Sequence, residues 1–109
     1  LGYHDMYHTA KDWSIDKDDF LKQLDDSLKA GGKLLIVDHS AVVGSGTKHS
    51  QELHRIDADY VKNELAGKGY KLIKESSLLV NSNDDRMGSP FSKELRRKTD
   101  RFVLLFEKK

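Results

Sequence analysis

Two short runs of polar residues contain the side chains best suited to proton transfer. The first is Tyr3-His4-Asp5, and the second is Asp38-His39, which follows an apolar run. Because imidazole titrates near neutrality, His4 and His39 are candidate general bases. A neighbouring carboxylate could orient such a ring or accept a hydrogen bond from a substrate. We therefore predict His4, Asp5 and His39 as catalytic residues, with Tyr3 and Asp38 lining the pocket. Asp38 could instead cap backbone amides at a strand end.

Three further residues are candidates for binding a substrate. Arg55 and Arg86 could each clamp an anionic group through paired hydrogen bonds, and His54 precedes the first of them. The alternatives are structural. His54 and Arg55 could form a solvated helix face, and Arg86 could pair with Asp84 or Asp85 to order its loop.

The spacing of two histidines raises the possibility of a metal site. His4 and His8 are four residues apart in H-D-M-Y-H, which is similar to the H-E-x-x-H zinc motif with Asp in place of Glu. A third ligand is not evident, and the helical pattern there is poor. The sequence therefore favours no metal site, and it places His8 and His49 on the surface.

The elements that would position these residues alternate between helix and strand. Asp16 is a predicted N-cap, and Gly31-Gly32 ends the helix that follows. The pattern predicts helices at 16–29 and 50–66, strands at 33–38, 70–80 (broken near Ser76-Ser77) and 100–107, and a long ordered loop at 81–99.

This order predicts an α/β fold. The runs at 34–37 and 102–106 are apolar without alternation, which is typical of strands covered on both faces. The last strand follows without a helix, so we expect it to be antiparallel and inserted between the other two. Ligands bind outside the carboxyl ends of strands in such sheets. If Leu1-Gly2 ends an earlier strand, both polar runs meet at one crevice.

The segment Leu28–His39, L-K-A-G-G-K-L-L-I-V-D-H, resembles the L-K-P-G-G-x-L-x-x-x-D segment of class I S-adenosylmethionine-dependent methyltransferases, with Ala30 in place of the common proline. Tyr3-His4-Asp5 resembles the end of their fourth strand. The resemblance covers essentially all 109 residues. Four further segments resemble a bacterial predicted-methyltransferase group: Leu53–Asp57, Glu75-Ser76, Asn81–Arg86 and Thr99–Phe102.

The resemblance implies the C-terminal half of a Rossmann-like methyltransferase sheet, mixed, as one partial domain over residues 1–109. The cofactor would be S-adenosylmethionine, but its binding residues stay unassigned. The family's glycine-rich loop has no counterpart, since Gly44-Ser45-Gly46 follows the wrong strand. The expected activity is methyl transfer to a small molecule, requiring the missing N-terminal half or a partner chain. The alternative is a non-catalytic module that interacts or oligomerises through its open sheet edge.

The amino-acid composition limits the classes of partner that we expect for this chain. The 19 basic and 18 acidic residues give a net charge of +1, which argues against a general nucleic-acid or membrane-surface binder. The chain has no cysteine, so disulfides and thiolate zinc sites are excluded. We expect a cytoplasmic protein with a small-molecule substrate, forming a homo-oligomer or completed by the missing half.

Overall fold

Three β-strands and three α-helices form within residues 3–9, 14–93 and 95–109, which a computed structural model describes. None of the described helices is both long and apolar enough to span a bilayer. The predicted strand tail at Leu1-Gly2 lies outside the described residues. In chain order, the elements are a 3-10 helix at Tyr3–Tyr7, α1 at Lys17–Ser27, β1 at Lys33–His39, α2 at Ser50–Leu53, α3 at Ala58–Gly67, β2 at Tyr70–Ser76 and β3 at Arg101–Lys108.

Helix α1 begins and ends close to the predicted positions. The Asp16 carboxylate accepts a hydrogen bond from the Asp19 amide at 3.2 Å, as an N-cap does. At the other end, the ammonium group of Lys108 donates to the carbonyls of Asp25 and Leu28. A residue of β3 thus satisfies acceptors that the last helical turn leaves free.

The single helix predicted at 50–66 is wrong, because two helices meet there at a turn. His54 has left-handed backbone angles, with φ 52° and ψ 40°. The next residues then bind the end of β1, where the Ile56 amide donates to the His39 carbonyl at 3.0 Å. Helix α3 begins with a cap of its own, the Asp57 carboxylate, which accepts from the Asp59 amide.

The sheet has the strand order β1-β3-β2, and β3 is antiparallel to both neighbours. The prediction that the last strand lies between the other two is confirmed. Strands β1 and β2 therefore run in the same direction, although the ladders between strands are all antiparallel in the described part. Ile36 lies opposite Leu104, and the register of β2 shifts between Leu72 and Lys74.

Only one face of the sheet is covered by described residues, so the prediction of two covered faces is wrong for this part of the chain. Phe102, Leu104 and Phe106 alternate as buried residues along β3 and pack in one core with residues of α1 and α3. On the opposite face, Leu35 remains 59% exposed and Val37 38% exposed. An apolar run shows that burial is favourable, but it does not show which segment provides the cover.

Candidate active site

The two polar runs meet at the carboxyl end of β1, as the sequence predicts. The His4 ring nitrogen Nδ1 lies 2.8 Å from Asp38 Oδ1, and the His4 amide donates to Oδ2 at 2.7 Å. Asp38 Oδ1 also accepts from the His39 amide at 2.7 Å. Both the imidazole and the carboxylate are buried. Because an ionised carboxylate can only accept, this geometry assigns a proton to Nδ1 of His4.

A group of imidazoles surrounds His4, and we call it the histidine cluster; its members are His4, His8, His39 and His54, with Asp5 and Asp38. His4 Nε2 lies 3.3 Å from Asp5 Oδ1. The His54 ring lies 5.4 Å from the His4 ring, edge to face, and 4.5 Å from the His8 ring. The sequence brings His54 here through the left-handed turn that separates α2 from α3.

His8 and His49 both differ from their prediction as surface residues, because each is half-buried. The Nδ1 atom of His8 is buried without a hydrogen-bond partner among the described residues. Burial lowers the pKa of His54, and the neighbouring rings of His8 and His4 lower it further. His54 is therefore neutral at neutral pH.

His39 lies at the rim of the same group. Its ring centroid is 6.3 Å from that of His4, and its Nδ1 lies 2.8 Å from the Thr99 hydroxyl oxygen. Burial lowers the pKa of His39, with the nearby Asp38 carboxylate opposing the shift. A cleft of about 270 Å³ opens here, lined by His4, Asp5, Val37, Asp38, His39, Phe91 and Arg101. His39 and His4 can thus both face a small ligand.

Tyr3 faces a different space from the one predicted. Its hydroxyl donates to Glu64 Oε1 at 2.6 Å, and Tyr7 donates to the other oxygen of the same carboxylate. Burial raises the pKa of Glu64, but these hydrogen bonds and Lys17 outweigh that effect, so the net shift is downward. Tyr3 lines an apolar groove of about 340 Å³ with Met6, Ile15, Phe20, Leu24 and residues 34–37 of β1.

Arg55 is occupied within the protein, which does not support its predicted role as a substrate clamp. Its side chain is 0% exposed, and it makes two hydrogen bonds to Asp84. Further hydrogen bonds go to the carbonyls of Ser40 and Gly88. The guanidinium joins the end of β1 to the long loop, which is a structural task.

The Arg86 guanidinium pairs with Asp100, and not with Asp84 or Asp85 as the structural alternative expected. Its Nη2 lies 2.6 Å from Asp100 Oδ2, and the Arg86 amide donates to Asp84 Oδ1. We call these linked groups the arginine network; its members are Arg55, Asp84, Arg86 and Asp100. Arg86 remains partly exposed, but it lines a second cleft, beside Ser40 and Asp57, and not the cleft of the histidine cluster.

The glycines that follow β1 do not form an open anion site. The amides of Gly44 and Gly46 donate to Asp57 Oδ2, at 2.9 and 3.4 Å. Because an acidic side chain of the same chain already binds these amides, the segment lacks the free donors of a phosphate-binding loop.

Sequence reasoning missed Glu64, His8 and the buried state of Arg55. Glu64 is four residues after Tyr60 on α3, but nothing in the sequence links it to Tyr3 or Tyr7. No known protein family, curated protein or solved structure matches this chain. Its function must therefore be inferred from the geometry of these residues.

Proposed function

We propose that this chain is the C-terminal half of a class I S-adenosylmethionine-dependent methyltransferase domain and that the histidine cluster faces the methyl acceptor. The supporting observation is the sheet, in which an antiparallel last strand lies between β1 and β2 while His4 and Asp38 meet at the carboxyl end of β1. That end is where open α/β sheets bind ligands. The Rossmann-like assignment of this small α/β fold is part of the proposal.

The chemistry suits an acceptor that must lose a proton. Methyl transfer from a sulfonium is an in-line displacement, which requires nucleophile and methyl group to be held in near-attack geometry. His4 is assigned as the general base: Asp38 accepts from its Nδ1–H, so Nε2, which lies 3.3 Å from Asp5 Oδ1, is the nitrogen that accepts the proton. Asp5 and His39, which line the same cleft, orient the acceptor. His54 packs edge to face against the His4 ring.

The apolar groove indicates how the remaining half would join. The outer edge of β1 has no ladder partner among the described residues, and the groove of about 340 Å³ runs along β1. Tyr3, Met6 and Phe20 line it, so an apolar strand would bury its side chains there while pairing with β1. We propose that this strand belongs to the half that binds S-adenosylmethionine. A cysteine-free chain of this kind suits the reducing cytoplasm.

The first step of the test is to measure the intact mass of the protein isolated from its natural source. Calorimetry with S-adenosylmethionine on that protein should give saturable binding at one site. S-adenosylhomocysteine should then form with small hydroxyl or amine acceptors. Replacement of His4 by Gln should lower turnover and leave cofactor binding intact, while His49→Gln should change neither. Absence of heat at millimolar cofactor in the intact protein would overturn the proposal.

A second candidate function is a non-catalytic module that pairs with another copy of itself through the edge of β1. The exposure of Leu35, at 59%, and the unpaired edge in the described part of the sheet favour it. Gel filtration should then show a dimer that Leu35→Glu converts to a monomer. The matched control is Leu78→Glu, since Leu78 is 85% exposed but lies outside the sheet. Elution of the unsubstituted chain as a monomer would rule this candidate out.

A further inference from the structure

We propose that His4, Asp5 and His54 bind a divalent transition-metal ion, for which Zn²⁺ is the natural probe. Each of the three offers one ligand atom, and these atoms lie within 4.8 Å of one another. The third ligand, which the sequence pattern does not reveal, is His54 at the turn between α2 and α3, distant from His4 along the chain. The inference is defined by the ligand atoms alone, and a bound ion would occupy His4 Nε2 in place of the proton that the proposed methyl transfer delivers there.

The spacing of the first two ligands already suits a metal ion. His4 Nε2 and Asp5 Oδ1 are 3.3 Å apart. Two ligand atoms of a tetrahedral zinc ion, each bonded at about 2.0–2.1 Å, are separated by about 3.3–3.4 Å. The His54 ligand atom lies within 4.8 Å of the other two, so it would have to move closer by up to about 1.5 Å to reach the same spacing.

The surroundings of His4 match those of a metal-binding histidine. Such a ring commonly gives its other N–H to a carboxylate, which fixes its orientation and raises its basicity. His4 does this with Asp38, at 2.8 Å, and Asp38 is itself held by the His39 amide.

A simpler explanation covers only part of these observations. A protonated His4 could bridge Asp5 and Asp38 as an ion pair, without any metal. That pairing gives no role to His54, whose ring packs edge to face against the His4 ring. Two imidazoles and one carboxylate leave a coordination position open, as catalytic zinc sites do. The open position would take water or a hydroxyl group of a small ligand and favour loss of its proton.

The test is calorimetry of the tag-free chain with Zn²⁺, followed by the absorption spectrum of the Co²⁺ form. We expect one ion per chain. Replacement of His54 by Asn, which tolerates left-handed backbone angles, should weaken binding by more than about 100-fold, because losing a ligand costs more than losing its outer-shell partner. His49→Asn is the matched control and should bind as the unsubstituted chain does.

Circular dichroism establishes whether each variant is folded. If the His54→Asn variant is unfolded, the Zn²⁺ affinity of the Asp5→Asn variant provides the test instead. Absence of saturable Zn²⁺ binding would overturn the inference. Equal losses in the His54 and His49 variants would overturn it too, because they would indicate binding by imidazoles outside the proposed site. S-adenosylmethionine and acceptor are absent from the measurement, so its failure would leave the proposed methyl transfer standing.

Discussion

The histidine cluster and the arginine network both adjoin the carboxyl end of β1, yet they satisfy their polar groups differently. Arg55 directs its guanidinium to Asp84 and to two carbonyls, all within the protein. In the histidine cluster, by contrast, the buried Nδ1 of His8 has no partner among the described residues. Because buried polar groups are normally paired, a complete network indicates structure, and an incomplete one calls for a further partner such as a water molecule or an ion.

The largest effect is expected from Asp84→Asn. The substitution leaves the buried Arg55 without its counter-charge, so the free energy of unfolding should fall by about 3–5 kcal/mol in urea titrations. Lys22→Ala is the control, because the Lys22–Asp26 pair is exposed and should contribute nothing measurable. A loss below about 1 kcal/mol for Asp84→Asn would mean that the network is not structural.

A smaller loss of stability is expected from Asp38→Asn, together with a change in function. Asn keeps only one accepting oxygen and places an NH2 donor against an N–H of His4, so the buried hydrogen bond that is lost should cost about 1–3 kcal/mol. Zn²⁺ affinity should fall by about 10–100-fold, as for other outer-shell carboxylates. Unfolding and calorimetry measure the two effects separately. Unchanged Zn²⁺ affinity would mean that Asp38 only caps backbone amides at the strand end.

Tyr3→Phe should affect stability alone. The lost hydrogen bond to Glu64 should cost about 1 kcal/mol, while Zn²⁺ affinity stays the same because Tyr3 does not line the cleft of the histidine cluster. Tyr60→Phe is the control, since that hydroxyl lies 3.4 Å from Glu64 and should contribute less. A weakened metal site in the Tyr3 variant would show that the two regions are coupled.

The smallest effect is on the pH dependence of stability. The pKa of Asp84 is lowered in the folded protein: burial raises it, but the hydrogen bond from Arg55 and backbone amides outweigh that. The contribution of Asp84 to the free energy of unfolding is fully present above its unfolded pKa of about 4. It is lost as the pH falls through its pKa in the folded protein. The lowered pKa of His39 means that the unfolded chain binds more protons below about pH 6.5.

Stability of the metal-free chain should therefore decline gently below about pH 6.5 and steeply below about pH 4. In urea titrations over this range, His39→Gln should remove part of the gentle decline, because the substituted side chain no longer takes up a proton on unfolding. An unchanged slope in this variant would contradict the assignment.

Local signals predicted much of the fold. The Asp16 cap, the glycines after α1 and the apolar runs located α1, β1 and β3 because they act over neighbouring residues. The break at His54 was missed because it depends on Ile56 binding the end of β1, a contact between distant segments. The meeting of His4 with Asp38 was predicted from strand-end geometry, whereas the pairing of Arg55 with Asp84 was not, since charge alone does not specify a partner.

Strand β3 is the last of the three described strands in the chain and the middle one in the sheet. During synthesis, β1 and β2 emerge first, but within the described part neither has a ladder partner until β3 has left the ribosome. Pairs such as Lys33 with Glu107 close long stretches of chain, which slows folding. In the newly made chain, β1 and β2 therefore stay unpaired until β3 is available. A chaperone that binds extended apolar segments would protect them from aggregation over that interval.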